Sequence, residues 1–171
     1  MHKQNNIFLI GLMGTGKTTV GRQLSRKLNM AFYDSDRVVE QQTGADIPLI
    51  FEKEGESGFR KREAAVIDEL TQKKNIILAT GGGAVLDAEN RNHLINRGTV
   101  FYLKSNLKTL LERTSKDKNR PLLHADESAE IILQRLLDQR GPLYEESADY
   151  VIETANNSIH DVIQAIIKSL K

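Results

Sequence analysis

Ile7-Phe8-Leu9-Ile10-Gly11-Leu12-Met13-Gly14-Thr15-Gly16-Lys17-Thr18 is the stretch that decides the fold class. Gly11–Thr18 fits the phosphate-binding loop G-x-x-x-x-G-K-[ST], and its setting is the one that loop requires. Four apolar residues in front of it read as a buried strand. Val20, Leu24 and Leu28 follow at four-residue spacing, as on one face of a helix. The loop therefore joins a strand to a helix N-terminus, where unpaired backbone N–H groups and the helix dipole attract anions. Gly14 and Gly16 let the backbone approach a phosphate without a side chain in between. Lys17 is expected to reach the β- and γ-phosphates, the Thr18 hydroxyl to ligate Mg²⁺, and Thr15 and Thr19 to complete the nucleotide cradle.

Outward from the loop, short apolar runs alternate with longer helical patterns. Strands are expected at Ile7–Ile10, Ala31–Asp34, Ile76–Thr80, Thr99–Leu103 and Asp149–Glu153. The alternation predicts an α/β fold: a P-loop NTPase-like three-layer sandwich with a five-stranded parallel sheet, ligands gathering beyond the C-terminal strand ends. The 171 residues make one domain. Asp46 to Gln72 offers two helices separated by Gly55-Glu56-Ser57-Gly58, and a substrate-binding insertion is expected over about 34–62. The polar, aperiodic stretch from Ser115 to Pro121 is expected to belong to a lid, about 114–126, that excludes water from the transferring phosphate. Ser158 and Asp161 resemble a capping box. It opens a last helix whose apolar face is Ile159, Val162, Ile163, Ile166, Ile167 and Leu170.

Composition narrows the chemistry. The formal net charge of +1, with both signs interleaved, argues against nucleic acid as the partner. The chain has no cysteine, which excludes disulfides, thiolate metal sites and thiol nucleophiles. The first six residues carry no signal-peptide pattern, and no apolar run is long enough to span a membrane, so a cytoplasmic protein is expected. A monomer is expected, because no apolar surface stripe stands out. The four histidines are scattered without metal-ligand spacing.

A phosphate-binding loop of this kind works with an acid at the end of a neighbouring strand. The third strand ends in Gly81-Gly82-Gly83, not in an acid; Ala31–Asp34 leads into Asp34-Ser35-Asp36. In extended chain Asp34 and Asp36 point the same way. One is expected to face Mg²⁺ and the other a substrate hydroxyl, which it orients or deprotonates. A turn with a helix N-cap is the plainer alternative. The three glycines present bare N–H groups that suit a hydroxyl or carboxylate. Arg60 and Glu63 share a helix face, with Phe59, Val66, Ile67 and Leu70 as the adjoining apolar stripe. An arginine held by a glutamate suits bidentate recognition of a carboxylate. Arg140 precedes Gly141-Pro142, where a helix is expected to end.

Taken together, the phosphate-binding loop, Asp34-Ser35-Asp36, Phe59-Arg60-Lys61-Arg62-Glu63, Gly81-Gly82-Gly83, Arg120-Pro121-Leu122 and Arg140-Gly141-Pro142-Leu143-Tyr144 resemble the shikimate kinase family, in that family's order and at similar spacing. The resemblance implies ATP- and Mg²⁺-dependent phosphorylation of the 3-hydroxyl of shikimate, in the route to aromatic amino acids. It implies that Lys17 and the loop hold the phosphates, that Thr18 and Asp34 serve the metal, and that Asp36 binds shikimate hydroxyls as base or orienting group. It assigns Arg60, Arg140 and Gly81–Gly83 to shikimate. Arg120, from the lid, goes to the transferring phosphoryl group, and Arg113 and Asn157 go to the adenine. Gly58 stands where the family often carries a larger polar residue. Another small-molecule kinase, for gluconate or a nucleoside monophosphate, is the nearest rival. A non-catalytic nucleotide-binding protein is the rival of a different class. The guanine-reading Asn-Lys-x-Asp of GTPase-like switches is missing from the sequence.

Overall fold

The computed structural model describes residues 3–115 and 128–171. Five parallel strands form one sheet in the order β2-β3-β1-β4-β5: β1 Ile7–Ile10, β2 Ala31–Asp34, β3 Ile76–Ala79, β4 Thr99–Lys104 and β5 Tyr150–Glu153. Their bounds fall within a residue of those read from the apolar runs. Between them run α1 Lys17–Leu28, α2 Ser35–Thr43, α3 Ile47–Thr71, α4 Ala88–Arg97, α5 Leu107–Thr114 and α6 Ala129–Ser147, and α7 Ile159–Ser169 closes the chain.

Strand residues alternate between the two faces, and the alternation builds two cores. Phe8, Ile10, Leu78, Val100 and Tyr102 face a cluster completed by α2, α3, α4, α5 and α6. Ile7, Leu9, Ile77, Phe101 and Leu103 face a smaller one, completed by Val20 and Leu24 of α1 and by Val162, Ile163 and Ile166 of α7. Each such side chain, once buried, contributes about 1.5–3 kcal/mol. The capping box of α7 is present, with Ser158 and Asp161 bonded reciprocally. Leu170 is 41% exposed and caps the helix end without joining its apolar face.

Strand β1 lies between β3 and β4, so the chain leaves it towards one half of the sheet and later crosses to the other. That reversal opens a crevice at the C-terminal end of β1, where the phosphate-binding loop sits.

Two helices differ from expectation. The chain does not pause over Gly55–Gly58: Gly55 alone leaves helical geometry, at φ 73° and ψ 178°, and Glu56, Ser57 and Gly58 already belong to the second segment of α3. The kink turns that segment so that Phe59, Glu63, Val66, Ile67 and Leu70 are buried. Helix α6 does not end at Gly141-Pro142 but continues to Ser147. An interior proline costs about 3 kcal/mol. The buried stripe Leu133, Leu136, Arg140, Tyr144, Ser147 crosses it without interruption, and that packing outweighs the lost hydrogen bond. Two members of the stripe are polar or charged, which hides the periodicity.

Candidate functional site

The loop after β1 is held by its own polar groups. Thr15 Oγ1 donates to the Leu12 carbonyl at 2.9 Å, and Lys17 Nζ donates to the carbonyls of Gly11 and Leu12 at 2.7 and 2.8 Å. The turn needs left-handed backbone at Gly14 and at Gly16, which stands immediately before α1. A Cβ on Gly14 would also meet Thr114 at 2.9 Å. No acidic residue occupies the first turn of α1, so no internal carboxylate competes for its N-terminal charge.

Asp34 closes the metal side. Its Oδ2 accepts from Thr18 Oγ1 at 2.6 Å, and its Oδ1 accepts from the backbone N–H of Asp36 and Arg37. Asp34 and Asp36 thus do not point the same way from an extended strand. The strand ends at Asp34, which N-caps α2, and Asp36 lies in the first helical turn. The plain cap and the metal role coexist, because a carboxylate has two oxygens. Mg²⁺ takes oxygen ligands and usually one or two carboxylates beside substrate phosphates. The Thr18–Asp34 pair fits that donor set, with no cluster of three His, Asp or Glu among the described residues.

These groups line a cleft of about 550 Å³. Gly14, Gly16, Lys17, Thr18, Thr19 and Arg113 line it together with Asp34, Asp36, Gly81 and Gly82. Arg37, Glu40, Asp46, Ile47, Pro48 and Thr80 line it too, and sequence reasoning missed them. They sit on the helical insertion or at a strand end, with no motif to mark them. Arg113 Nη1 donates to the Gly14 carbonyl at 3.1 Å. Asn157 does not reach the cleft wall: its Nδ2 donates to the Glu153 carbonyl at 2.8 Å. Arg120, with the lid from residue 116 onward, lies outside the described residues.

Behind the cleft wall at Gly81 and Gly82 a second cluster is assembled from distant segments; Arg60, Glu63, Gly83 and Arg140 belong to it and do not line the cleft itself. Strand β3 is interior to the sheet, so the triple glycine is not at a sheet edge but beyond a strand end, between β2 and β1. Gly81 N–H is not bare, since it donates to the buried Ser35 Oγ at 2.9 Å. A Cβ on Gly81 would fall 2.6 Å from Asp36 Oδ1 and 2.8 Å from Glu63 Oε2; one on Gly83 would overlap the Arg60 guanidinium. One on Gly82 would sit 3.5 Å from Arg140 Nη1. A side chain at Gly81 would displace Asp36 and Glu63 and one at Gly83 would displace Arg60, whereas one at Gly82 would make ordinary contact.

Arg60 Nη1 donates to Glu63 Oε1 at 2.8 Å, and Arg60 Nη2 to Glu56 Oε1 at 3.3 Å. This is no loose surface pair: the Glu63 side chain is 1% exposed. Burial pushes the Glu63 carboxyl upward, against the pull of Arg60 and Arg140. Burial alone would lower Arg60, but the carboxylates of Glu63 and Glu56 hold its guanidinium above the ordinary value. Arg140 is 2% exposed. Arg60 Nε, Glu63 Oε2 and Arg140 Nε are buried without a hydrogen-bond partner among the described residues. Unpaired buried cationic donors are costly, and an anion with hydroxyls would satisfy them.

A P-loop fold, a hydroxyl–carboxylate pair for a metal, and two arginines packed against the glycine run beside the cleft define a small-molecule phosphotransferase. Comparison with known proteins gives the particular one. The "Shikimate kinase" family profile matches residues 13–171. The shikimate kinase of Vibrio parahaemolyticus is 52% identical over all of this chain and 99% of its own length, and that of Buchnera aphidicola from Schizaphis graminum is 53% identical over the same shares. The structure of "Shikimate kinase from Acinetobacter baumannii in complex with shikimate" superposes with a TM-score of 0.94 at 51% identity, covering 98% of this chain and 93% of that one. The chain belongs to the shikimate kinase family, whose members are ATP- and Mg²⁺-dependent kinases.

Proposed function

We propose that this chain transfers the γ-phosphoryl group of ATP to the 3-hydroxyl of shikimate, giving shikimate 3-phosphate and ADP, with the cleft and the cluster behind its wall as its two subsites. The observation that carries the reading is the pair of arginines flanking Gly82 and Gly83, Arg140 buried and Arg60 half-buried, with their Nε atoms unpartnered among the described residues, beside a phosphate-binding cleft. The family resemblance and the shikimate bound to the Acinetobacter relative support the same acceptor.

In this assignment the loop N–H groups and Lys17 bind the phosphates, with Thr19 beside them. Thr18 and Asp34 hold Mg²⁺, which when bound neutralises phosphate charge. Arg60 and Arg140 clamp the acid, and Gly81–Gly83 contact the ring hydroxyls. Asp36, beside Gly81, orients the 3-hydroxyl and takes its proton as the hydroxyl oxygen bonds to phosphorus and the bond to the ADP oxygen breaks. Arg120 faces the transferring group, the lid of 114–126 closes over it, and Arg113 and Asn157 belong to the adenine side. The insertion of about 34–62 supplies acceptor contacts within a single domain of 1–171. A cytoplasmic setting and a monomeric state complete the proposal. Among the described residues no helix is long and apolar enough to cross a membrane.

The test is ADP release from Mg·ATP with shikimate, gluconate or a nucleoside monophosphate as acceptor, and with GTP replacing ATP. Release that depends on shikimate and ATP is expected. Stimulation by another acceptor alone would keep the phosphate end and overturn the acid end.

A further inference from the structure

Three glycines in a row have no side chains to fix their peptide planes, yet this run must present N–H groups in one orientation. Tyr144 supplies a restraint that the roles assigned above leave unused. Its ring is fully buried and stacks on Tyr102, centroids 4.9 Å apart. Its hydroxyl donates to the Gly82 carbonyl. A peptide unit is planar and trans, so fixing the Gly82 oxygen also aims the Gly83 N–H, which points the opposite way. Neither the Gly82 nor the Gly83 N–H has a hydrogen-bond partner among the described residues.

Arg140 shares the buried face of α6 with Tyr144. The two residues stand one turn apart on the helix. Arg140 lies beside Gly82, and Arg60 against Gly83. The Gly82–Gly83 peptide therefore runs between the two acid-binding cations. Burial raises the Tyr144 hydroxyl well above its ordinary range, so it keeps its proton and remains a donor at any working pH.

We propose that Tyr144 is a positioning residue for the acceptor: its hydroxyl fixes the Gly82–Gly83 peptide beside Arg140 and so sets the spacing between backbone N–H and guanidinium that the substrate acid and ring hydroxyls meet. The inference rests on the shikimate reading and adds to it a residue that need not touch the substrate. Tyr144→Phe keeps the ring and its stacking and deletes only the hydroxyl. Its KM and calorimetric Kd for shikimate are expected to rise about fivefold, as for loss of one neutral hydrogen bond. Its KM for Mg·ATP and its Kd for ADP should stay within twofold, and the ADP titration also certifies that the variant is folded. Tyr102→Phe, which trims the other ring of the stack, should change neither. A Tyr144→Phe protein that binds shikimate like wild type overturns the inference alone, as does parallel loss of shikimate and ADP binding. Wild-type protein that binds no shikimate overturns the reading and the inference together.

Discussion

The two ends of the site are built in opposite ways. The phosphate end comes mainly from one contiguous stretch, Gly11–Thr18, and uses mainly backbone, with Asp34 and Arg113 as distant partners. The acid end draws on the first turn of α2, the second segment of α3, the glycines after β3 and the middle of α6, and it uses buried side chains. A local site survives most packing changes elsewhere. An assembled one depends on every contact that fixes its members, and its residues should respond as a unit.

That contrast can be broken most forcefully at Lys17. Lys17→Met should lower kcat by about 100-fold or more, because phosphoryl transfer relies on charge placement. Circular dichroism should show an intact fold, and shikimate affinity should be nearly unchanged. Equal loss at both ends would show that they are not separable. Arg140→Ala comes next. Removing a charged hydrogen-bonding group typically costs about 1.5–3 kcal/mol, so shikimate KM should rise by roughly 10- to 100-fold while ATP KM stays within about threefold. Steady-state kinetics with each substrate varied in turn would check this, and equal rises would move Arg140 out of the acid end.

Gly83→Ala sharpens the comparison through packing alone. Gly83 sits at φ −94°, a conformation alanine accepts, so the only conflict is its Cβ against the Arg60 guanidinium. Arg60 must shift, and shikimate KM should rise about tenfold, as for one misplaced charged contact, with thermal stability little altered. Unchanged KM would mean that Arg60 is free to move without consequence.

The smallest effect lies far from both ends, at Asp161. Hydrogen bonds from Ser158 hold its carboxyl below the ordinary value of 3.8. A depressed carboxylate stabilises the fold above its unfolded pKa and loses that contribution as pH falls through its folded one. Asp161→Asn should therefore lower Tm slightly at neutral pH, with the gap to wild type closing below about pH 4. A gap that widens on acidification would contradict the cap. Activity should not change.

The contrast between the ends also explains what could be read from the sequence. Five strands and the loop were legible because their signals are local: short continuous apolar runs, and glycine and lysine at fixed spacing. Asp34 was legible as a residue, but its geometry was not, because whether the strand or helix α2 claims Asp36 depends on where the cap falls. The end of α6 was misread at Pro142 because a buried arginine and serine interrupt the apolar pattern on which helix reading relies. Tyr144 was visible within a motif, yet nothing local says that its hydroxyl meets Gly82, 62 residues away in the chain. The cleft walls at Glu40 and Pro48 were silent for the same reason. Residues that act through tertiary contact leave no spacing to find.

The most direct test of a site with a phosphate end and a separate acid end changes the substrate instead of the protein. Phosphorylation by Mg·ATP would be compared for shikimate and for the analogue whose carboxylate is replaced by hydroxymethyl. The account predicts that kcat/KM for the analogue falls by roughly 100-fold or more, since two guanidiniums lose their anion, while the KM for ATP is unchanged. An analogue phosphorylated as well as shikimate would contradict it, because Arg60 and Arg140 would then have no acid to hold.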